Sequence, residues 1–309
     1  MADAFTTSTV LTNQIQTVYD RIAFFALRSE PVFSQLAMVK PGNVTSPGTP
    51  VKFTFWGDLS TATTALSETV DVDAVALSDS QVTVTPAEYG SAILVPIRVR
   101  TDTLLIGFDP DAANVVAWNM VDTIDELART AVDGGSNEDW VGQASEAAIT
   151  ATDILTADEV RQKHAELVAN KARPLGNSLY GMISHPHVTY DLKGETGDGA
   201  WIAPHQYVDT AAVYNNEVGT FAGFRFLETP RAKLNADGGD SNVDTYTNYA
   251  FGSEMLANAE SIPPHTVLGP VTDKLKRFQP LGWHTYTGFD TLREASLRRL
   301  LCASSIGSN

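Results

Sequence analysis

Three features of this 309-residue sequence predict an α+β fold. One is a long capped helix over 109–135. The second is a set of alternating ribbons upstream of it, within 44–100. The third is a downstream region where short apolar strands and helices mix, with no internal repeat and no linker that separates independent domains.

The helix (DPDAANVVAWNMVDTIDELARTAVDGG) has Asp109 as N-cap and Pro110 at the first helical position. Asp111 adds negative charge at the positive end of the helix dipole. Val116, Met120, Ile124, Leu127 and Ala131 step by threes and fours into one stripe, widened by Val115, Trp118, Val121 and Ala128. Gly134 and Gly135 end it. Its length of about 35 Å suits a spine across which other elements lie.

Residues 1–9 are small and polar and predict a flexible arm. Residues 10–39 read as a helix broken at Pro31. This arm packs either on its own domain or on a neighbouring subunit, and the sequence carries both readings equally. Over 50–56 the segment PVKFTFW places Val51, Phe53 and Phe55 on one face. SQVTVT over 80–85 alternates through Val82 and Val84, and AILVPIRVR over 92–100 through Ile93, Val95, Ile97 and Val99. Between the first two strands lies a polar stretch rich in Ala, Thr, Ser and Asp, too sparse in large apolar residues for a core of its own. An isolated two-stranded ribbon is marginal in water, so this one makes sense beneath another chain; the alternative is a disordered surface insertion.

Downstream, the alanine-rich stretch 137–150 has helical character. A helix over 156–172 opens with Thr156 and Glu159 as a capping box and buries Val160, His164, Leu167 and Val168. Residues 179–184 (LYGMIS) form a short buried strand, and Pro186 starts a short helix through Leu192. Residues 194–199 read as a glycine-rich loop. A turn and strand follow over 217–230, with Phe224 and Phe226 on one face, then a polar loop over 235–244 and a strand around Tyr249, Ala250 and Phe251. Residues 267–282 are extended; 282–288 and 294–304 are closing strands.

Composition excludes several classes. Hydrophobic residues make up 43% and charged residues 19%, enough for a sizeable core. The net charge of -16 repels nucleic acid. The single cysteine, Cys302, has no disulfide partner in the chain and reads as a small core residue. The N-terminus lacks the pattern of a signal peptide and no run is long enough to span a bilayer, so the expectation is a soluble protein without an address.

No catalytic, metal or cofactor site is expected. His185 and His187 flank Pro186 without the third ligand of a zinc site and read as exposed imidazoles in a turn; His164 and His205 are elsewhere. Gly197-Asp198-Gly199 lacks the third glycine of a dinucleotide fingerprint. Ser178 in GNSLYG does not fit a nucleophile elbow. Asp237, Asp240 and Asp244 lack calcium-loop spacing. The cluster Lys274, Lys276 and Arg277 fits carboxylates across an interface better than phosphate.

The order of elements resembles the major capsid protein of tailed bacteriophages, a fold shared with the herpesvirus capsid floor and encapsulin shells. Short stretches resemble the family in the same order. Gly48-Thr49-Pro50-Val51 resembles the start of its extended loop, Leu66-Ser67-Glu68 the Leu-x-Glu at the far end, and Ala87-Glu88-Tyr89-Gly90 the turn of the return path. Residues 219–229 resemble the glycine-punctuated turn and Glu-Thr strand end of the axial domain. Gly282-Trp283-His284 resembles the Gly-Trp-Lys step into the last strands, with His284 in place of lysine.

The resemblance implies an N-terminal arm (1–43), an extended β-hairpin loop with its return strand (44–100), a peripheral domain with the spine helix (101–150), an axial domain (151–265) and closing strands (266–309). It implies a virion subunit, assembled in the host cytoplasm into hexamers and pentamers that enclose double-stranded DNA. The chain starts almost at the arm, so a separate scaffolding protein is expected, with a portal and a decoration protein as further partners and no membrane. Phe53, Phe55, Trp56, Leu66, Glu68, Glu88, Tyr89, Arg98, Arg100, Lys274, Lys276 and Arg277 are the residues expected at contacts between subunits. The rival readings are an encapsulin-type compartment shell and a soluble enzyme with an unrecognised site.

Overall fold

The computed structural model describes residues 28–43, 45–66, 68–69, 71–96, 108–176, 178–195, 217–271, 274–275 and 277–307. The expected helix before residue 28 and the glycine-rich loop after residue 195 lie outside them. Thirteen strands occur among the described residues: β1 (Met38–Pro41), β2 (Val51–Trp56), β3 (Asp79–Val84), β4 (Ala87–Pro96), β5 (Glu138–Trp140), β6 (Tyr180–Ser184), β7 (Glu217–Phe221), β8 (Phe224–Glu228), β9 (Leu234–Asn235), β10 (Thr245–Phe251), β11 (Leu256–Leu268), β12 (Phe278–Thr291) and β13 (Leu297–Cys302). The helices are α1 (Phe108–Asp133), α2 (Ala157–Ala169) and α3 (Pro186–Gly194). The chain divides into two compact units, and β4, α1, β11 and β12 each contribute residues to both.

The larger unit takes in 29–90, 120–265 and 284–309. Its centre is a seven-stranded mixed sheet of order β5-β13-β10-β6-β8-β7, with β9 paired to β10. Strand alternation sorts the side chains to two faces. Met182, Phe224, Phe226, Tyr246, Ala250, Leu300 and Cys302 point into a core shared with Val160 and Leu167 of α2 and with Val188 and Leu192 of α3. Ile183, Leu227, Tyr249, Phe251 and Leu297 point into a second core shared with Ala128 and Val132 of α1. Both faces are covered, which is why β6 and β10 are buried at every position. Cys302 is fully buried, and burial pushes its thiol up to about 12.

The segment ahead of β1 is wedged into the second core. Val32 and Phe33 are buried there, and Phe33 meets Tyr249 edge to face at 5.2 Å. The expected second helical segment after Pro31 is instead a short 3-10 turn, Ser34–Leu36, followed by β1, which pairs in parallel with β11. A backbone committed to a sheet edge cannot also close helical hydrogen bonds, and amphipathicity alone did not separate the two.

Helix α1 begins at Phe108, two residues ahead of the expected first helical position at Pro110, so Asp109 lies within the helix and is not its N-cap; Gly134 and Gly135 follow its end. In its larger-unit portion Met120, Ile124, Leu127 and Ala131 are only half-buried. The fully buried face there is Asp125, Ala128 and Val132. Asp125 accepts from the Ser34 N–H (3.0 Å) and hydroxyl (3.2 Å), and its other oxygen lies 2.7 Å from Arg231 Nε. Arg231 also donates to Asp122 (2.6 Å), and its carbonyl accepts from Arg129 (3.0 Å). Tyr249 donates to Asp133 at 2.6 Å; burial, then that carboxylate, hold its phenol well above its ordinary range.

Two further helical expectations differ. The alanine-rich stretch after α1 forms β5 and a 3-10 turn, Glu146–Ala148, because β5 adds in parallel to the edge of β13. In α2 the capping box is present, with the Glu159 carboxylate 2.9 Å from the Thr156 N–H, but Val168 is exposed and Lys163 takes its place on the buried side. Lys163 is held by Asp139 and Glu166, each at 2.9 Å.

The smaller unit takes in residues 1–28, 91–119 and 266–283. Arg28 donates to Asn114 (2.7 Å) and lies over the Trp118 ring at 5.1 Å. Trp283 is buried and donates to Asn119 at 2.8 Å. A Cβ on Gly282 would come within 2.7 Å of the Ser91 carbonyl, so only glycine lets β12 approach β4 this closely. Ile93 is exposed and Val95 buried, so the expected single apolar face of this strand is divided.

Replacing Asp125 by alanine strands the Arg231 charge in a buried setting and is expected to cost about 3–5 kcal/mol in urea unfolding of the subunit. The double variant Asp125→Leu/Arg231→Met is expected to lose less than Asp125→Ala alone, because it removes both charges.

Candidate functional site

The residues expected at contacts between subunits separate into those spent inside the chain and those left on its surface. Phe53 is buried and Phe55 half-buried on the inner face of the β2–β3 hairpin, where they pack with Val51 and Val84 against Ala257, Ala259 and Leu292. The Arg293 guanidinium lies 4.3 Å from the Phe55 ring centroid and is held at 2.7 Å by Glu254. These aromatics therefore anchor the base of the ribbon to its own unit.

Beyond the base the chain is uncovered. Trp56 is 72% exposed and Leu66 78%, and Glu68 is exposed as well. The hairpin register runs from Val51↔Val84 to Trp56↔Asp79, and the Gly57 N–H donates to the Ser78 carbonyl at 2.8 Å. Past that bond, the described residues up to Ser78 form neither helix nor strand. Leu59, Val72, Val75 and Leu77, which the sequence pattern did not single out, are exposed along this excursion. Single apolar residues in a polar run carry no periodicity; their scarcity hid that all of them face water.

Glu88 lies on β4, which begins where a turn was expected because its first residues join the edge of the β1-β11-β12-β4 sheet. Its carboxylate accepts from His284 (2.8 Å) and from the Tyr286 hydroxyl (2.9 Å). The Tyr286 bond, then the His284 bond, lower its pKa, and Glu88 in turn raises that of Tyr286. Tyr89 lines a cavity of about 210 Å³ with Leu127, Ala131 and Phe289. Lys274 is exposed, and Arg277 lies over the Phe278 ring at 5.2 Å. Arg98, Arg100 and Lys276 lie outside the described residues.

The histidine pair is not the exposed turn expected from its sequence. His185 caps α3, with its Nδ1 accepting from the His187 N–H at 3.2 Å, and His187 Nδ1 is hydrogen-bonded with the Tyr246 hydroxyl at 2.9 Å. Burial, assisted by His187, lowers His185 to about 4. Among the described residues no group of three or more His, Cys, Asp or Glu could hold a metal ion, and no described helix is long and apolar enough to cross a membrane.

The sequence model of the family described as phage capsid protein matches residues 125–294, more than half of the chain. The chain belongs to that family: it is a phage capsid protein, a structural subunit of the virion shell. Solved structures agree in fold. The capsid of Ralstonia phage GP4 shares 12% identity over 94% of this chain and 96% of its own, with a TM-score of 0.77. The capsid protein in the cyanophage Pam1 asymmetric unit shares 12% over 99% and 100%, at 0.75. That of cyanophage P-SCSP1u shares 15% over 96% and 95%, at 0.70. No curated protein matches the chain in sequence.

His185 is predicted to make stability pH-dependent. Its folded pKa of about 4 lies below the ordinary 6.5, so the unfolded chain takes up the proton first as pH falls. The contribution is full above 6.5 and is lost as pH drops toward 4. Asparagine keeps the cap and removes the titration, so His185→Asn is expected to match the parent at pH 7.5 and to gain on it steadily between 6.5 and 4 in denaturant unfolding.

Proposed function

We propose that this subunit assembles into hexamers and pentamers that close an icosahedral shell around double-stranded DNA. The excursion over 57–78 is the contact element and lies across a neighbouring subunit. The observation that carries this reading is its exposed side chains, Trp56, Leu59, Leu66, Val72, Val75 and Leu77, on a segment whose described residues beyond Gly57 form neither helix nor strand. Covering those side chains supplies about 25 cal/mol per Å² of apolar surface before the costs of association are subtracted.

In this reading the spine helix and the long strands serve the peripheral domain, and much of 151–265 serves the axial domain around the local symmetry axes. Glu68, Lys274, Lys276, Arg277, Arg98 and Arg100 supply polar contacts at the rims, where charge sets orientation more than affinity. Phe53, Phe55, Glu88 and Tyr89 act behind them by fixing the base of the ribbon and its return strand. The work of the chain is association and shell expansion, without covalent chemistry. A separate scaffolding protein sets curvature during assembly, and a portal and a decoration protein complete the particle. The net charge of -16 suits a container filled against repulsion, because tight binding would fix the genome to the wall.

The test is an internal deletion of 58–77, rejoined by a short turn between Gly57 and Ser78, which the hairpin register already brings together. The shortened chain is expected to fold, with unfolding close to that of the parent subunit, and to yield no closed shells by light scattering and negative-stain imaging. Normal shells from the shortened chain would overturn the assignment of the excursion.

A further inference from the structure

The β2–β3 hairpin meets the rest of the larger unit through two kinds of contact. Its first rungs are apolar: Val51, Phe53 and Val84 are buried against Ala257, Ala259 and Leu292. Its last rungs are not. Trp56 and its partner Asp79 are exposed, and so is Ser80 opposite Phe55. Phe55 itself is half-buried at the edge of the apolar cluster, and the Arg293 guanidinium lies 4.3 Å from its ring centroid.

Arg293 follows the end of β12, and a carboxylate from another turn aims it. Glu254, between β10 and β11, holds the Arg293 Nε at 2.7 Å and accepts from Arg173 at 3.1 Å through its other oxygen. One carboxylate thus draws together two guanidinium groups that would otherwise repel each other. Glu254 also has a φ of 64°, in the left-handed region that glycine enters freely and a residue with a Cβ enters at a cost. Backbone strain kept at a charged residue points to a side chain that is needed where the turn puts it.

We propose that Glu254 and Arg293 form a latch on the ribbon: the guanidinium, aimed by the carboxylate, holds the Phe55 ring and so fixes the direction in which the chain leaves the larger unit at Gly57. Glu254 is a positioning residue, acting on the ribbon through Arg293. With the latch engaged, the last two rungs follow the larger unit. With it open, they turn about the apolar rungs at Val51 and Phe53, which stay buried. The latch stands on these contacts alone. Its consequence for assembly, that free subunits present the excursion in one direction, rests on the reading of the excursion as the contact element.

Spin labels on the full-length chain before assembly test the latch. Cys302 is fully buried, so labels attach to cysteines introduced at Asp79 and Val168, both exposed and both in the larger unit. The distance distribution between them is expected to be one narrow peak in the otherwise unsubstituted chain. Its width is expected to grow about twofold in Arg293→Lys, which keeps the charge and loses the planar face that stacks on Phe55. Glu254→Gly, which keeps the turn without strain and loses the carboxylate, is expected to broaden it equally, and so is Phe55→Leu. Glu254→Gly added to Phe55→Leu should broaden it no further, because both act through one contact. Urea unfolding midpoints are expected to stay close to that of the parent; a merely structural role would move the midpoint and leave the width alone. Unchanged widths in Arg293→Lys and Glu254→Gly, or a parent distribution as broad as theirs, would overturn the latch, whatever the deletion of 58–77 shows about the contact element. Where the width does grow, Glu254→Gly chains are expected to give fewer closed shells and more of irregular size. Shells of unchanged yield and size from a freed ribbon would overturn the part of the latch in assembly.

Discussion

The charge pair buried between α1 and the chain after β8 is the constraint that the larger unit depends on. Asp125 is almost wholly shielded from water, on a helix face otherwise lined by Ala128 and Val132. A lone carboxylate there would be unfavourable by far more than the surrounding contacts return. Arg231 and Ser34 make it tolerable, and each comes from a distant part of the sequence. The pair thereby specifies three things together: the rotation of α1 against the sheet, the seating of the segment that carries Phe33, and the path of the chain after β8. Apolar packing alone would leave that rotation weakly defined, since Met120, Ile124, Leu127 and Ala131 offer the helix a second face of similar size.

Most of the fold was legible because its elements carry local signals. Thr156 and Glu159 announce α2, Pro186 starts α3, and Phe224 with Phe226 alternate correctly for β8. The failures share a cause. The stretches containing β1 and β5 were read as helical, and both became strands by pairing with β11 and β13, partners far away in the chain. Pairing of that kind leaves no periodic trace in a four- or three-residue strand. Asp125 was likewise passed over because a charged residue inside an apolar stripe reads as its edge until the partner is known.

The assembly surface was only half legible. The resemblance did not separate side chains buried within the chain from those left on its surface. Phe53 and Phe55 look like sticky aromatics in sequence, yet one is buried and the other lies under Arg293. Trp56, one residue further on, is exposed because strand alternation turns it to the other side. Glu88 illustrates the same limit: its hydrogen bonds to His284 and Tyr286 lie nearly two hundred positions away along the chain. His284 stands where the resemblance implies lysine, and it bonds Glu88 across strands of the same sheet.

The bond between Gly57 and Ser78 has a mechanical consequence. It is the last rung of the β2–β3 ladder, and beyond it the path of the chain is not dictated by its own backbone pairing. The excursion is thus a lever with its fulcrum at the neck: a small twist of the hairpin swings the tip through a large arc. Were the excursion the contact proposed above, turning at this one rung would let one sequence meet neighbours set at different angles while the sheet and its two cores keep the same geometry.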